Sequence, residues 1–190
     1  MCSGKWERFL GSVMLFTPLS ALAHTGQDMH FSFHSGFIHP IGGVDHLLVL
    51  LGVGFWAAVH GKVLSRVIPG LFLAAMGLSA LFPFVGIGGM TEIVIALSVT
   101  ATGLLLWFKG RYPVVPGTFL VLVFGFFHGQ AHVAEIPAGM ASGAYAAGFL
   151  TVSAVLLAIG VCLGRSDRSA FGKVLSVLCT GAGMIWLAAA

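Results

Sequence analysis

Charge is what this chain has least of: Asp, Glu, Lys and Arg together make up 8% of its 190 residues. A soluble domain of that size needs a charged surface, so lipid must be its main solvent. Acids are rarer still, six against nine Lys and Arg. The formal charge of +3 and pI of about 9.0 do not signal nucleic-acid binding, because the basic residues sit singly or in pairs between apolar runs. The three cysteines, Cys2, Cys162 and Cys179, form no CxxC; Cys2 lies in a segment expected to be removed, and the other two, deep in apolar runs, read as small packing residues rather than a disulfide or metal framework. No Walker motif is present to couple the polypeptide to ATP, and no HExxH to hold a hydrolytic zinc.

What fills the chain instead is apolar: 58% of residues are hydrophobic and the mean hydropathy is +1.02. Residues 1–23 begin with Lys5 and Arg8, continue through the apolar run Phe9 to Phe16 and end in Ala21-Leu22-Ala23. This is the pattern of a cleavable signal peptide, so the mature chain is expected to begin at His24. The alternative, a retained first span, is disfavoured because that apolar core falls short of the ~20 residues a bilayer needs.

Six apolar segments follow, at 37–59, 67–85, 92–108, 114–134, 139–163 and 172–189. In lipid every backbone polar group must be satisfied internally, which makes them helices. The expected fold is therefore all-α: after the signal peptide, a single polytopic domain of six transmembrane helices over residues 24–190. With the new N-terminus outside, the loops alternate, and Lys62, Arg66, Lys109, Arg111, Arg165, Arg168 and Lys173 all fall in loops predicted to face the cytoplasm. This points to a bacterial inner membrane with a periplasmic mature N-terminus. Trp56, Trp107 and Tyr112 lie near span ends, as interfacial aromatics do. The pairs Gly125/Gly129, Gly139/Gly143 and Gly160/Gly164 allow close helix contact without identifying a dimer face.

The eight histidines are the compositional oddity. His24, His30, His34 and His39 precede or open the first span, His46 lies in its outer half, and His128 and His132 lie in the outer half of the fourth. Only His60 falls on the inner side. Imidazoles running from the outer surface into the membrane describe a path for something that imidazole binds.

In His39-Pro40-Ile41-Gly42-Gly43-Val44-Asp45-His46, Pro40 disfavours helix at His39 and suits a helix start, while the two glycines permit a bend at membrane depth. Irregular backbone is tolerated there only where it faces protein or a polar cavity. Asp45 within the apolar layer needs a partner. It either orients His46 as a metal-bound imidazole is oriented, or caps a helix. In Phe127-His128-Gly129-Gln130-Ala131-His132-Val133-Ala134-Glu135-Ile136-Pro137, His128, His132 and Glu135 are spaced i, i+4, i+7 and share one helical stripe. Two imidazoles and a carboxylate suit a borderline divalent ion such as nickel, cobalt, zinc or copper. Glu92 after Thr91 reads as ordinary helix-start chemistry. It is carried as a secondary candidate ligand, together with His24 as mature N-terminus and the i, i+4 pair His30 and His34.

At these residues the chain resembles the HupE/UreJ family of nickel and cobalt permeases, accessory membrane proteins of hydrogenase and urease maturation. The resemblance rests on His39-Pro40-x-x-Gly43-x-Asp45-His46, on Val53-Gly54-x-Trp56-Ala57 and on Phe127-His128-Gly129-x-Ala131-His132-x-x-Glu135-x-Pro137. It implies metal uptake, with His39, Asp45, His46, His128, His132 and Glu135 as metal-site residues. Val133 and Leu50 depart from the family pattern, where glycine and methionine are common; both bear on metal preference more than on fold.

The leading expectation is a secondary transporter, not an enzyme, importing Ni²⁺ or Co²⁺ as cargo with no tightly bound cofactor. Its partners would be the divalent ion and the lipid bilayer, not nucleic acid, with a homo-oligomer and a cytoplasmic metallochaperone acceptor left open. Two alternatives stand beside it. A haem-binding electron-transfer protein would use His46 and His128 or His132 as axial ligands, and an intramembrane metalloenzyme would use two histidines and a carboxylate.

Overall fold

The computed structural model describes residues 32–82, 88–108, 111–136, 143–166 and 169–190. Within them every regular element is an α-helix: α1 Phe33–Gly42, α2 Val44–Val59, α3 Leu64–Ser79, α4 Gly88–Trp107, α5 Val114–Glu135, α6 Gly143–Arg165 and α7 Ser169–Ala189. The expected signal peptide, His24 and His30 lie outside the described residues.

Helices α4 to α7 are each long and apolar enough to cross a membrane. The first expected span is broken: α1 and α2 meet the same requirement together, but their axes differ by 82°. Helix α3 has 16 residues, about 24 Å at ~1.5 Å per residue, against a hydrocarbon layer of ~30 Å. Each of the six apolar segments thus carries helix, four as full-length spans, one as a bent pair and one short.

The bend falls at Gly43, which ends α1 and begins α2 with φ −87° and ψ 108°. The paired glycines were expected to permit it. Pro40 acts differently from its expected role, because α1 runs through both His39 and Pro40. A proline there deprives one upstream carbonyl of its partner, yet the helix leading up to it is anchored twice. Upstream, Ser32 Oγ accepts from the Ser35 amide at 3.2 Å while Ser35 Oγ accepts from the Ser32 amide at 2.9 Å, a reciprocal cap. In the middle, Gly36 lies directly against the Tyr145 backbone of α6.

The start of α4 also corrects an expectation. It begins at Gly88, so Thr91 is inside the helix rather than its cap, and Glu92 is exposed. Each added residue gains a backbone hydrogen bond, which in lipid outweighs stopping at a side-chain cap.

Helix α2 is the axis of the bundle. It touches α1, α3, α4, α6 and α7 and buries ten of its residues, as expected for a helix apolar on all sides. Trp56, expected at an interface, is fully buried near the C-terminal end of α2. Trp107 remains exposed and Tyr112 lies half-buried against the core. The small residues do their work inside the bundle: Gly160 and Gly164 of α6 rest on the Leu51 and Phe55 carbonyls of α2, and Gly125 and Gly129 of α5 rest on Phe72 and Met76 of α3. Gly139 lies outside the described residues, and Gly143 meets no neighbour. Cys179 is buried and Cys162 exposed, both free. Large apolar side chains such as Val115, Phe119 and Ile185 point outward, the surface a lipid solvent calls for.

These contacts sort the ends of the bundle. Gly117 meets the Trp56 ring, Gly172 the Phe55 ring and Gly164 the side chain of Ala58. The described cations Lys62, Arg66, Arg111, Arg165 and Lys173 therefore gather around the C-terminal end of α2, opposite His46.

Candidate metal site

The site forms where the bend in the first span meets the C-terminal half of α5. Gly43 is small for a local reason: a Cβ there would lie 2.9 Å from Asp45 Oδ1 and 3.2 Å from His46 Nδ1. The glycine leaves the space in which Asp45 and His46 fold back beside the bend. Asp45 lies in the first turn of α2, where the helix dipole favours a carboxylate.

Asp45 Oδ1 stands 3.1 Å from His46 Nδ1. The imidazole donates its Nδ1 hydrogen to the carboxylate, which fixes the tautomer and leaves Nε2 as an acceptor. That nitrogen lies 2.7 Å from His132 Nε2, so His132 supplies the hydrogen between them. On the same face of α5, His128 Nδ1 donates to the Phe124 carbonyl at 2.8 Å. Its Nε2 lone pair is buried with no hydrogen-bond partner. The rings crowd together: His46 is centred 4.7 Å from His128 and 4.5 Å from His132, and His39 4.7 Å from His132. His46, His128 and His132 are buried; His39 and Asp45 are half-buried.

The structure thus brings together five of the six principal candidates named from the sequence: His39, Asp45, His46, His128 and His132. The sixth, Glu135, is the last residue of α5; the unbroken helix preserves its i, i+4, i+7 register with His128 and His132, and its side chain lies outside the described residues. His34 and Glu92 are exposed.

Chemically, the cluster presents imidazole nitrogens, one of them backed by a carboxylate, in a largely buried setting. As the side chains stand, no three His, Cys, Asp or Glu among the described residues form a ready-made coordination shell. Two nitrogens sharing a metal at ~2.0–2.1 Å lie about 2.9 to 3.4 Å apart for right-angled to tetrahedral geometry. To admit one, the 2.7 Å pair must open by a few tenths of an ångström and His132 must carry its hydrogen on Nδ1 instead of Nε2.

Several supporting residues escaped the sequence reading. Phe149 lies across His132 at 3.8 Å between ring centres, Tyr145 edges His39 at 6.1 Å, and Phe72 flanks His128 at 5.8 Å. Gln130, between the two histidines of α5, donates to the Ser79 and Phe82 carbonyls at 2.6 and 2.8 Å. It closes the C-terminal end of short α3 beside the site. A lone amide inside an apolar span was the available signal.

Comparison with known proteins bears on this geometry. The family model described as HupE / UreJ protein matches residues 12–190. This chain belongs to the HupE/UreJ family. A curated relative, "Protein HupE" of Rhizobium leguminosarum bv. viciae, is 32% identical over 169 residues, 88% of each chain. No solved structure matches. The family match spans all the described helices, and this HupE/UreJ member is a multi-pass helical membrane protein. His39, Asp45, His46, His128 and His132, identified from two stretches of the HupE/UreJ pattern, are one contiguous group in space.

Proposed function

We propose that this HupE/UreJ protein is a secondary transporter that brings a divalent transition metal, Ni²⁺ or Co²⁺, inward across a bacterial inner membrane for metalloenzyme maturation. The family's association with nickel and cobalt transport for hydrogenase and urease supports the reading. The observation that carries it is the meeting of His46 and His132, 86 residues apart, with their Nε2 atoms 2.7 Å from one another inside a membrane bundle. Polar groups at that depth are costly and mark pathways.

The ion would shed water onto His39, His46, His128 and His132 in succession, with Asp45 holding His46 in the ligating tautomer and offsetting part of the incoming charge. Glu135 would complete the donor set from the end of α5. The gathering of the described cations at the far end supports placing the histidines on the outer side. An inward divalent ion then gains about 4.6 kcal/mol at 100 mV, so no nucleotide is needed. An axial haem pair is a poor fit, because two nitrogens flanking an iron at ~2 Å each stand about 4 Å apart with a macrocycle between them.

The test is radiolabelled nickel uptake by metal-limited cells, with cobalt, zinc and copper as competitors. His46→Ala and His132→Ala are expected to abolish accumulation while membrane insertion persists. Wild-type rates in either variant, or a Soret band in the purified protein, would overturn the proposal.

A further inference from the structure

At the end of the bundle opposite the histidines lies a groove of about 650 Å³, lined by Ala58, Gly61, Lys62, Arg66, Gly164 and Arg165. Its three cations come from two stretches: Lys62 and Arg66 from the α2–α3 connection and the first turn of α3, and Arg165 from the end of α6. None of them has a carboxylate within ion-pair distance among the described residues.

The groove is also organised. Arg165 Nη2 donates to Ser65 Oγ at 2.6 Å, and that hydroxyl donates to the Lys62 carbonyl at 2.9 Å. The guanidinium is therefore held in place across a sequence separation of 100 residues, with its other donors free to turn toward the groove. Gly61, at φ 105°, takes a left-handed turn open to glycine and adds no side chain to the wall. The N-terminus of α3 lies beside the groove and contributes its positive dipole end.

A preference for cations on the inner side explains which end carries them. It does not explain why three converge on one groove while Arg111 and Lys173, at the same end, do not line it. Converging cations with a fixed guanidinium fork suit a phosphate group. Val63 and Val67, which follow Lys62 and Arg66 in the chain, are 72% and 45% exposed, which gives an acyl chain an apolar surface near the charges. We propose that this groove binds a phosphate group, carried by an anionic phospholipid of the leaflet that bathes this end of the bundle. The site is separate from the histidine cluster and does not depend on the transport reading.

The test is native mass spectrometry of the full-length protein released from bilayers that mix phosphatidylglycerol with phosphatidylcholine. The wild-type protein is expected to retain phosphatidylglycerol selectively. Lys62→Gln with Arg66→Gln should lower retention about tenfold or more. Arg111→Gln with Lys173→Gln removes the same charge from the same end and should change it by less than about twofold. Ser65→Ala and Arg165→Lys keep every charge, and hence the topology signal, while undoing the guanidinium geometry; each should lower retention severalfold. Inorganic phosphate at millimolar concentration forms a further arm. Failure to displace the lipid supports the phospholipid, and displacement supports a phosphate site whatever the carrier. Equal losses from both double variants, or wild-type retention in Ser65→Ala and Arg165→Lys, would overturn the proposal.

Discussion

Replacing Asp45 by Asn separates the two things its carboxylate does for His46. The 3.1 Å contact with Nδ1 fixes the imidazole tautomer and places a negative charge behind a ligand. Asn keeps an oxygen that accepts the Nδ1 hydrogen, so the tautomer survives and the charge is lost. Leu removes both. Loss of the group that orients a metal-binding histidine costs about 10- to 100-fold in metal affinity, or about 1.4 to 2.7 kcal/mol. With the Asp45 side chain 27% exposed, water screens part of the charge, and Asp45→Asn is expected near the lower figure and Asp45→Leu near or beyond the upper. Both remove a charge from the apolar layer, so insertion should be unimpaired. The assay is initial nickel uptake against nickel concentration, normalised to membrane-inserted protein, where the variants raise the half-saturating concentration in the order Asp, Asn, Leu. Wild-type uptake in Asp45→Leu, or equal losses in the two variants, would refute the claim that the carboxylate acts through His46 by both charge and orientation.

Three further outcomes are expected. Gln130→Leu strips the Ser79 and Phe82 carbonyls of their donor and should lower thermal stability in detergent by about 1 to 3 kcal/mol; an unchanged melting curve would mean those carbonyls find other partners. Gly160→Leu forces a side chain into the Leu51 carbonyl of α2, and overpacking of about 1 to 3 kcal/mol should make the protein proteolytically labile, whereas Gly143→Ala, which meets nothing, should be silent. Uptake should decline as the external medium becomes acid, because protonation removes the imidazole lone pair that binds the ion, and a profile flat to acid pH would argue against imidazole ligation.

The amino-acid order alone was enough for the helical class, the membrane as solvent, the grouping of cations at alternate connections and the identity of the candidate donors. All of these are local properties: composition, run length and spacing along one helix. His128 and His132 share a face because a helix repeats every 3.6 residues, and no distant contact is needed to see it. The flanking glycines likewise foretold a bend near Gly43.

What the tertiary structure decided is everything that depends on which surfaces meet. Trp56 sits near a span end in the chain yet deep in the core, because α5 brings Gly117 against its ring. Pro40 is carried inside a helix whose preceding turn is held by the cap at Ser32 and the contact of Gly36 with α6. Glu92 and His34 have the right chemistry but face outward, while His39 joins the cluster only through the 82° turn between α1 and α2. The pairing of His46 with His132 has no local signature at all, since it requires α2 and α5 to lie antiparallel with matched ends. Small residues pack α5 on α3 and α6 on α2, and packing is a property of two surfaces together, which neither stretch of sequence encodes separately.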